Sequence, residues 1–220
     1  VRPAALRRSA RSVPAVLLIG TALAANLFGG CIGRRYDPKL PGSARSWIEG
    51  PVHWLVLPDE ARHFRRLNSS AEALAFIDAF WERRDPDPRK PGNPFAQQFF
   101  ERVQSADLLY GGAHRRGSLT DRGGATILLG SPSVLRYTQR TAPTWEPGST
   151  PRRGVNGFRR VRIEVWGYDA EELPPRLVEL LRDKGYELPI ELTFLEEADR
   201  TRLVEGEEIF ELAAQAALRP

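Results

Sequence analysis

Gly117-Ser118-Leu119-Thr120-Asp121-Arg122-Gly123-Gly124-Ala125-Thr126-Ile127-Leu128-Leu129-Gly130-Ser131-Pro132 divides the chain, with helical periodicity before it and strand alternation after it. Asp121 and Gly123 supply turn chemistry, residues 125–129 form an apolar run of buried-strand length, and Gly130-Ser131-Pro132 stops that run. The pattern predicts a turn feeding a core strand.

Working backward, Ser69-Ser70-Ala71-Glu72 is a capping box: Ser69 can accept the amide of Glu72 while that carboxylate reaches back to the amide of Ser69. Ala73, Leu74, Phe76, Ile77, Phe80 and Trp81 then recur at three- and four-residue steps, which predicts an amphipathic helix ended by Asp85-Pro86-Asp87-Pro88. Asn93-Pro94 restarts helix with a cap and a proline at the first position, and Phe95, Phe99, Val103, Ala106 and Tyr110 share one stripe before Gly111-Gly112. Further upstream, Pro58-Asp59-Glu60 opens a short helix, and residues 47–57, with Trp47, Trp54, Leu55, Val56 and Leu57, read as an apolar arm packed on the domain. Glu60 and His63 share a helix face at a spacing that metal-binding helices use, but no second pair accompanies them and no metal is expected.

Working forward, the chain reads as an arginine-rich loop up to about Phe158, where Arg136, Arg140, Arg152 and Arg153 alternate with Tyr137 and Trp145 and form a candidate anion-binding set. Residues 160–166 alternate as a half-buried strand with Val161, Ile163 and Val165 inward, and residues 189–196 repeat the pattern with Ile190, Leu192 and Phe194. Between them Leu177, Leu180 and Leu181 mark a covering helix closed by Gly185. A returning strand follows at residues 201–205, and Ile209, Leu212, Ala213 and Ala216 mark a C-terminal helix.

Several short strings recur in a recognisable order: Phe80-Trp81-Glu82-Arg83-Arg84-Asp85-Pro86, then Asn93 and Phe95, Arg102-Val103 and Ala106, then Gly117 to Gly123, and finally Gly130, Pro132 and Trp166-Gly167-Tyr168. Over roughly residues 50–210 this resembles the GWxTD-domain family, known chiefly as an uncharacterised domain of bacterial proteins. The resemblance marks Trp81, Arg84, Asp85, Thr120, Asp121, Arg122, Gly123, Trp166 and Tyr168 as motif residues. Ser118 stands where the family's name carries tryptophan.

The N-terminus is of another kind. Arg2, Arg7, Arg8 and Arg11 precede an apolar stretch over residues 15–27, which is too short for a membrane span of roughly 20 apolar residues. It ends in Leu27-Phe28-Gly29-Gly30-Cys31, small residues before a cysteine, which resembles the lipobox of bacterial lipoprotein signal peptides. That resemblance implies lipid attachment at Cys31, the only cysteine, and a membrane partner reached through the anchor. Ile32 rather than aspartate after the cysteine favours the outer membrane. The four arginines of residues 1–30 account for the whole formal net charge of +4. The remainder has no bulk basic character, and no nucleic-acid partner is expected.

Motifs for nucleophilic, phosphate-loop or zinc chemistry are missing from the sequence, and no cofactor is expected. Two acid–arginine couples remain, Arg84-Asp85 and Asp121-Arg122. Asp85 and Asp121 are candidate catalytic residues for general acid–base hydrolysis if a cleft unites them. The other use of all four is structural: ion pairs locking helices onto the sheet, with Asp121 bonding turn amides.

The sequence thus predicts an α+β fold, with N-terminal amphipathic helices packed on a small antiparallel sheet and a C-terminal helix. Its organisation is a signal peptide (1–30), a tether (31–46) and a GWxTD-like domain (47–218). The expected function is that of an envelope lipoprotein facing the periplasm or exterior, a non-enzymatic interaction or scaffolding module for a protein partner or envelope component. The alternative is a hydrolase acting on an envelope polymer through Asp85 and Asp121.

Overall fold

The computed structural model describes residues 42–143, 158–197 and 200–218, all within the unit Tyr36–Pro220. Helix α1 (Gly42–Ile48) buries Ala44 and Ile48 one turn apart, so residues 42–46, expected as part of a tether, are helical and Ala44 is packed. Trp47 lies between them in sequence and meets the rings of Phe64, Phe76 and Phe80, with centroids 5.8, 6.1 and 5.0 Å away. A 3-10 turn (Pro51–Trp54) leads to α2 (Pro58–Phe64), where the Leu57 amide donates to the Glu60 carboxylate at 3.1 Å.

Helix α3 (Ser70–Glu82) starts where Ser69 Oγ accepts the amide of Glu72 at 3.2 Å. The Glu72 carboxylate reaches the amide of Asn68 at 2.8 Å, one residue before the expected Ser69. Helix α4 (Pro94–Tyr110) is capped by Asn93 Oδ1, which accepts the amide of Ala96 at 2.9 Å. Phe76 and Phe80 of α3 and Phe99, Val103 and Ala106 of α4 are buried, as the periodicity requires.

Residues 121–129 depart from expectation. They form helix α5 (Asp121–Leu129), not a turn and a strand, and Thr120 is its N-cap, its Oγ1 accepting the amide of Gly123 at 3.1 Å. Every residue from Gly123 through Leu129 is buried, so apolar side chains point in all directions and the 3.6-residue signature vanishes. Two glycines are tolerated here because neighbours press on the backbone. A Cβ at Gly123 would collide with the Gly117 carbonyl oxygen, and one at Gly124 would sit 2.8 Å from the Trp54 indole. Gly130, at φ +91°, ends the helix.

The sheet is antiparallel in the order β1-β2-β3-β4, with β1 (Val134–Pro143), β2 (Phe158–Tyr168), β3 (Ile190–Glu197) and β4 (Arg200–Glu205). The stretch expected as an arginine-rich loop is therefore partly strand: β1 pairs with β2 from Val134 opposite Gly167 to Pro143 opposite Phe158. Its polar composition reflects an edge position with little burial.

Strand β2 also turns the other way from the expected one. Glu164, Trp166 and Tyr168 are buried and stand opposite Phe194, Leu192 and Ile190 of β3, whereas Ile163 and Val165 are half-buried on the reverse face. Burying an indole and a phenol removes more apolar surface than burying two aliphatic side chains, and the one misplaced charge, Glu164, has a partner waiting. Val161 is buried too, but it lies outside the main hydrophobic cluster that holds Trp166, Tyr168 and the inward residues of β3.

Helices α6 (Pro175–Asp183) and α7 (Glu207–Ala216) complete the apolar layer through Leu177, Leu181, Ile209, Leu212 and Ala213. The result is the expected α+β arrangement of helices on a four-stranded antiparallel sheet. Among the described residues no helix is long and apolar enough to cross a membrane.

Candidate functional site

The first motif arginine is fully withdrawn from solvent. Arg84 donates to Glu60 through both terminal nitrogens, at 2.7 and 3.0 Å, and to the carbonyls of Leu55 at 3.0 Å and Phe80 at 3.2 Å. Its guanidinium lies 3.7 Å from the Phe80 ring centroid. The fork geometry holds α2, the end of α3 and the end of the 3-10 turn at Leu55 in one arrangement. Burial opposes the charge on Glu60. The hydrogen bonds from Arg84 and Arg83, the Arg84 charge and the Leu57 amide outweigh it and hold the carboxyl below the ordinary glutamate range.

The second cluster surrounds the Gly-Ser-Leu-Thr-Asp turn. Arg122 pairs with Glu164 at 3.2 Å and lies 5.3 Å from the centroid of Tyr110, while the Trp166 indole donates to the other Glu164 oxygen at 2.8 Å. This ties α5 and α4 to β2. Thr120 Oγ1 also donates to the Gly117 carbonyl at 2.7 Å, and Gly117 packs against the Ala106 carbonyl so closely that no Cβ fits. Asp107 accepts the Ser118 amide at 2.8 Å and pairs with Arg116 at 2.5 Å. Burial pushes its pKa up, but the bonds from Arg116 and Ser118 and the Arg116 charge outweigh it and hold the carboxyl below the usual range.

Ser118 is fully buried, its hydroxyl beside the Asp107 carboxylate but without a hydrogen bond of good geometry, while Trp54 donates from its indole nitrogen to the Ser118 carbonyl at 2.8 Å. A tryptophan thus reaches this turn from the 3-10 segment instead of from within the motif. Arg102 caps α5 from α4, donating to the carbonyls of Ile127 and Leu128 at 3.1 and 3.3 Å. Tyr168 is buried, its hydroxyl 3.4 Å from the Gly130 carbonyl, and burial raises its pKa strongly. Trp81 bridges α3 to α4 through ring contacts with Phe99 and Phe100 and a carbonyl that accepts from Asn93 at 2.8 Å.

One ion pair locks a helix to the sheet, Arg122 of α5 with Glu164 of β2, and the other joins two helices, Arg84 after α3 with Glu60 of α2; neither uses the acid beside it in sequence. Arg84 uses Glu60 and Arg122 uses Glu164, whereas Asp85 accepts the amide of Asp87 at 3.0 Å and Asp121 accepts the amide of Leu203 in β4 at 2.7 Å. Asp121 therefore bonds a strand amide, not turn amides. Asp85 and Asp121 serve different elements. Two open concavities of about 590 and 500 Å³ are lined around Asp107, His114 and Arg116 and around Glu60, His63 and Glu72, and neither includes Asp85 or Asp121.

Glu60 and Glu164 escaped sequence reasoning because their arginines lie 24 and 42 residues away. Glu60 could have been suspected from its place three residues into a helix. Glu164 carried no local signal. Arg136 and Arg140 stand exposed on β1, Arg136 paired with Glu191 at 2.5 Å. Arg152, Arg153 and Cys31 lie outside the described residues. Among the described residues no cluster of three or more metal-ligating side chains occurs.

These features define an α+β domain braced by arginine–carboxylate locks around a helix-capping Thr-Asp turn. The profile of the GWxTD domain matches residues 44–160, more than half of the chain, and the chain belongs to the GWxTD-domain family. No curated protein and no solved structure matches it.

Proposed function

We propose that this protein is an envelope lipoprotein, anchored through lipid on Cys31 and sorted to the outer membrane, whose GWxTD domain is a non-enzymatic interaction or scaffolding module. One observation carries the non-enzymatic part: the motif's charged side chains are spent on internal bonds. Arg84 and Arg122 are committed to Glu60 and Glu164, and Asp121 to a strand amide. An acid–base pair needs a carboxylate free to reach substrate, with a pKa suited to giving up or taking a proton. Glu60 is held ionised by its arginines instead. The anchor rests on the basic, apolar and small-residue pattern ending at Cys31.

Two measurements test this reading. Intact mass and membrane fractionation of the native protein should show a chain beginning at Cys31 with added lipid, and Cys31→Ala should leave the membrane fraction or stay unprocessed. A native mass without lipid removes the anchor. Incubation of the protein with isolated cell-wall polymer should release no product. Product release that disappears in folded Asp85→Asn or Asp121→Asn variants would establish the hydrolase in its place.

A further inference from the structure

The two edges of the sheet are treated differently. Strand β4 has six residues and a bulge, since Thr193 opposite Glu205 and Phe194 opposite Leu203 leave Val204 without a counterpart, and its Leu203 amide is occupied by Asp121. Shortness, a bulge and a local charge are the devices that keep a sheet edge from pairing. Strand β1 has ten residues, about 34 Å at the usual strand rise, and among the described residues it pairs with β2 alone. Among the described residues nothing bonds the backbone on its outer side.

The side chains of β1 are sorted by face. Leu135 and Tyr137, 45% and 56% exposed, share the face of Trp166 and Glu164, their partners on β2. Arg136 and Arg140 lie four residues apart on the opposite face, beside Val165 and Val161. No acidic residue occurs in β1, and among the described residues Arg140 has no carboxylate partner.

We propose that the outer edge of β1 is a binding site for an extended acidic polypeptide segment, one that alternates acidic and apolar residues and adds to the sheet as a fifth strand. Main-chain hydrogen bonds to the open edge supply the attachment, and alternate side chains supply the selectivity. Acidic side chains meet Arg140 first, since Arg136 already shares its charge with Glu191, and apolar ones cover Leu135 and Tyr137. A second copy of this chain fits the edge poorly. In the antiparallel pairing centred on Thr138, Arg136 of each copy would face Arg140 of the other, and moving the centre to Gln139 leaves the two arginines diagonal. Like charges across a strand pair are unfavourable, so the arginines bar self-association and admit an acidic strand. This inference deepens the interaction reading above and names the kind of partner it needs.

The test uses the whole protein and labelled, end-blocked peptides of about eight residues, an ordinary strand length, alternating Glu with Val. The controls are the Lys–Val counterpart and Glu–Val peptides N-methylated on alternate amides, one for each strand edge. At low salt the Glu–Val peptide should bind at least about tenfold more tightly than the Lys–Val peptide. At least one N-methylated form should lose about tenfold in affinity, Arg140→Glu should do the same, and Arg140→Lys should retain most of the binding. Hydrogen exchange should slow at alternate amides of residues 134–143 when the acidic peptide is present. Equal binding of both peptides, indifference to both N-methylated forms or to Arg140→Glu, or protection confined to other strands would overturn the proposal. So would self-association through β1, which would assign the edge to a second copy. The lipid mass at Cys31 and the cell-wall assay are independent of these results, so this site can fail while the anchored, non-enzymatic reading stands.

Discussion

Replacing Glu60 by alanine is the sharpest probe of the buried lock. The Arg84 side chain is 0% exposed and that of Glu60 only 12%, so the substitution strands a guanidinium where water cannot reach it. Two of its four hydrogen bonds, those to the carbonyls of Leu55 and Phe80, would remain, together with the Phe80 ring. They solvate the group in part but do not neutralise it. Breaking one side of a buried pair costs about 3–5 kcal/mol. At about 2–4 °C per kcal/mol for a domain of this size, the melting temperature should fall by roughly 6–20 °C. Two companion variants isolate the cause. Arg83→Ala removes a Glu60 partner that is itself 43% exposed, and should cost less than about 1 kcal/mol. The double variant Glu60→Leu with Arg84→Met removes both charges and should recover most of the loss, because apolar groups of similar size replace a pair that was costly to desolvate. Urea titration and calorimetry on the same samples give the free energies. A Glu60→Ala loss below about 1 kcal/mol, or a double variant weaker than the single one, would refute the claim that this pair is a desolvated lock.

Three further outcomes follow from the turn and its neighbours. Ser118→Ala removes a buried hydroxyl that lies beside the Asp107 carboxylate without a hydrogen bond of good geometry, and should change stability by less than about 1 kcal/mol in urea titration. Gly123→Ala drives a methyl into the Gly117 carbonyl and should cost more than about 3 kcal/mol by thermal unfolding, whereas Gly112→Ala, with open space around it, should cost under about 0.5 kcal/mol. Glu60 and Asp107 titrate below the ordinary carboxylate range in the folded state, so their stabilisation is present above about pH 4 and is lost as pH falls through their lower folded-state values. Acid titration of stability should therefore slope downward there, and Glu60→Gln should flatten the slope.

Local chemistry made the two long helices legible. The caps at Ser69 and Asn93 and the stripes through Phe80 and Phe99 act within a few residues, and α3 and α4 begin where they point. Helix α5 was illegible for the opposite reason: with every residue from Gly123 to Leu129 enclosed, burial erases the period that would announce a helix. Strand β2 shows how side-chain size overrides alternation, because Val161, Ile163 and Val165 alternate as cleanly as Glu164, Trp166 and Tyr168. Only the arginine waiting on α5 makes a buried Glu164 acceptable. Arg84 and Arg122 make internal ion pairs, but with Glu60 and Glu164 and not with the acids beside them in sequence. Pairing across 24 and 42 residues is a property of the folded chain alone.

The bond between Asp121 and the Leu203 amide carries one more consequence. A sheet that offers both margins can recruit copy after copy and grow into a filament. A sheet with one margin closed can accept a single neighbour, after which the new outer margin belongs to the guest. For the acidic strand proposed above, one carboxylate at the start of α5, occupying an amide of the far margin, favours a stoichiometry of one. It converts an open-ended surface into a socket.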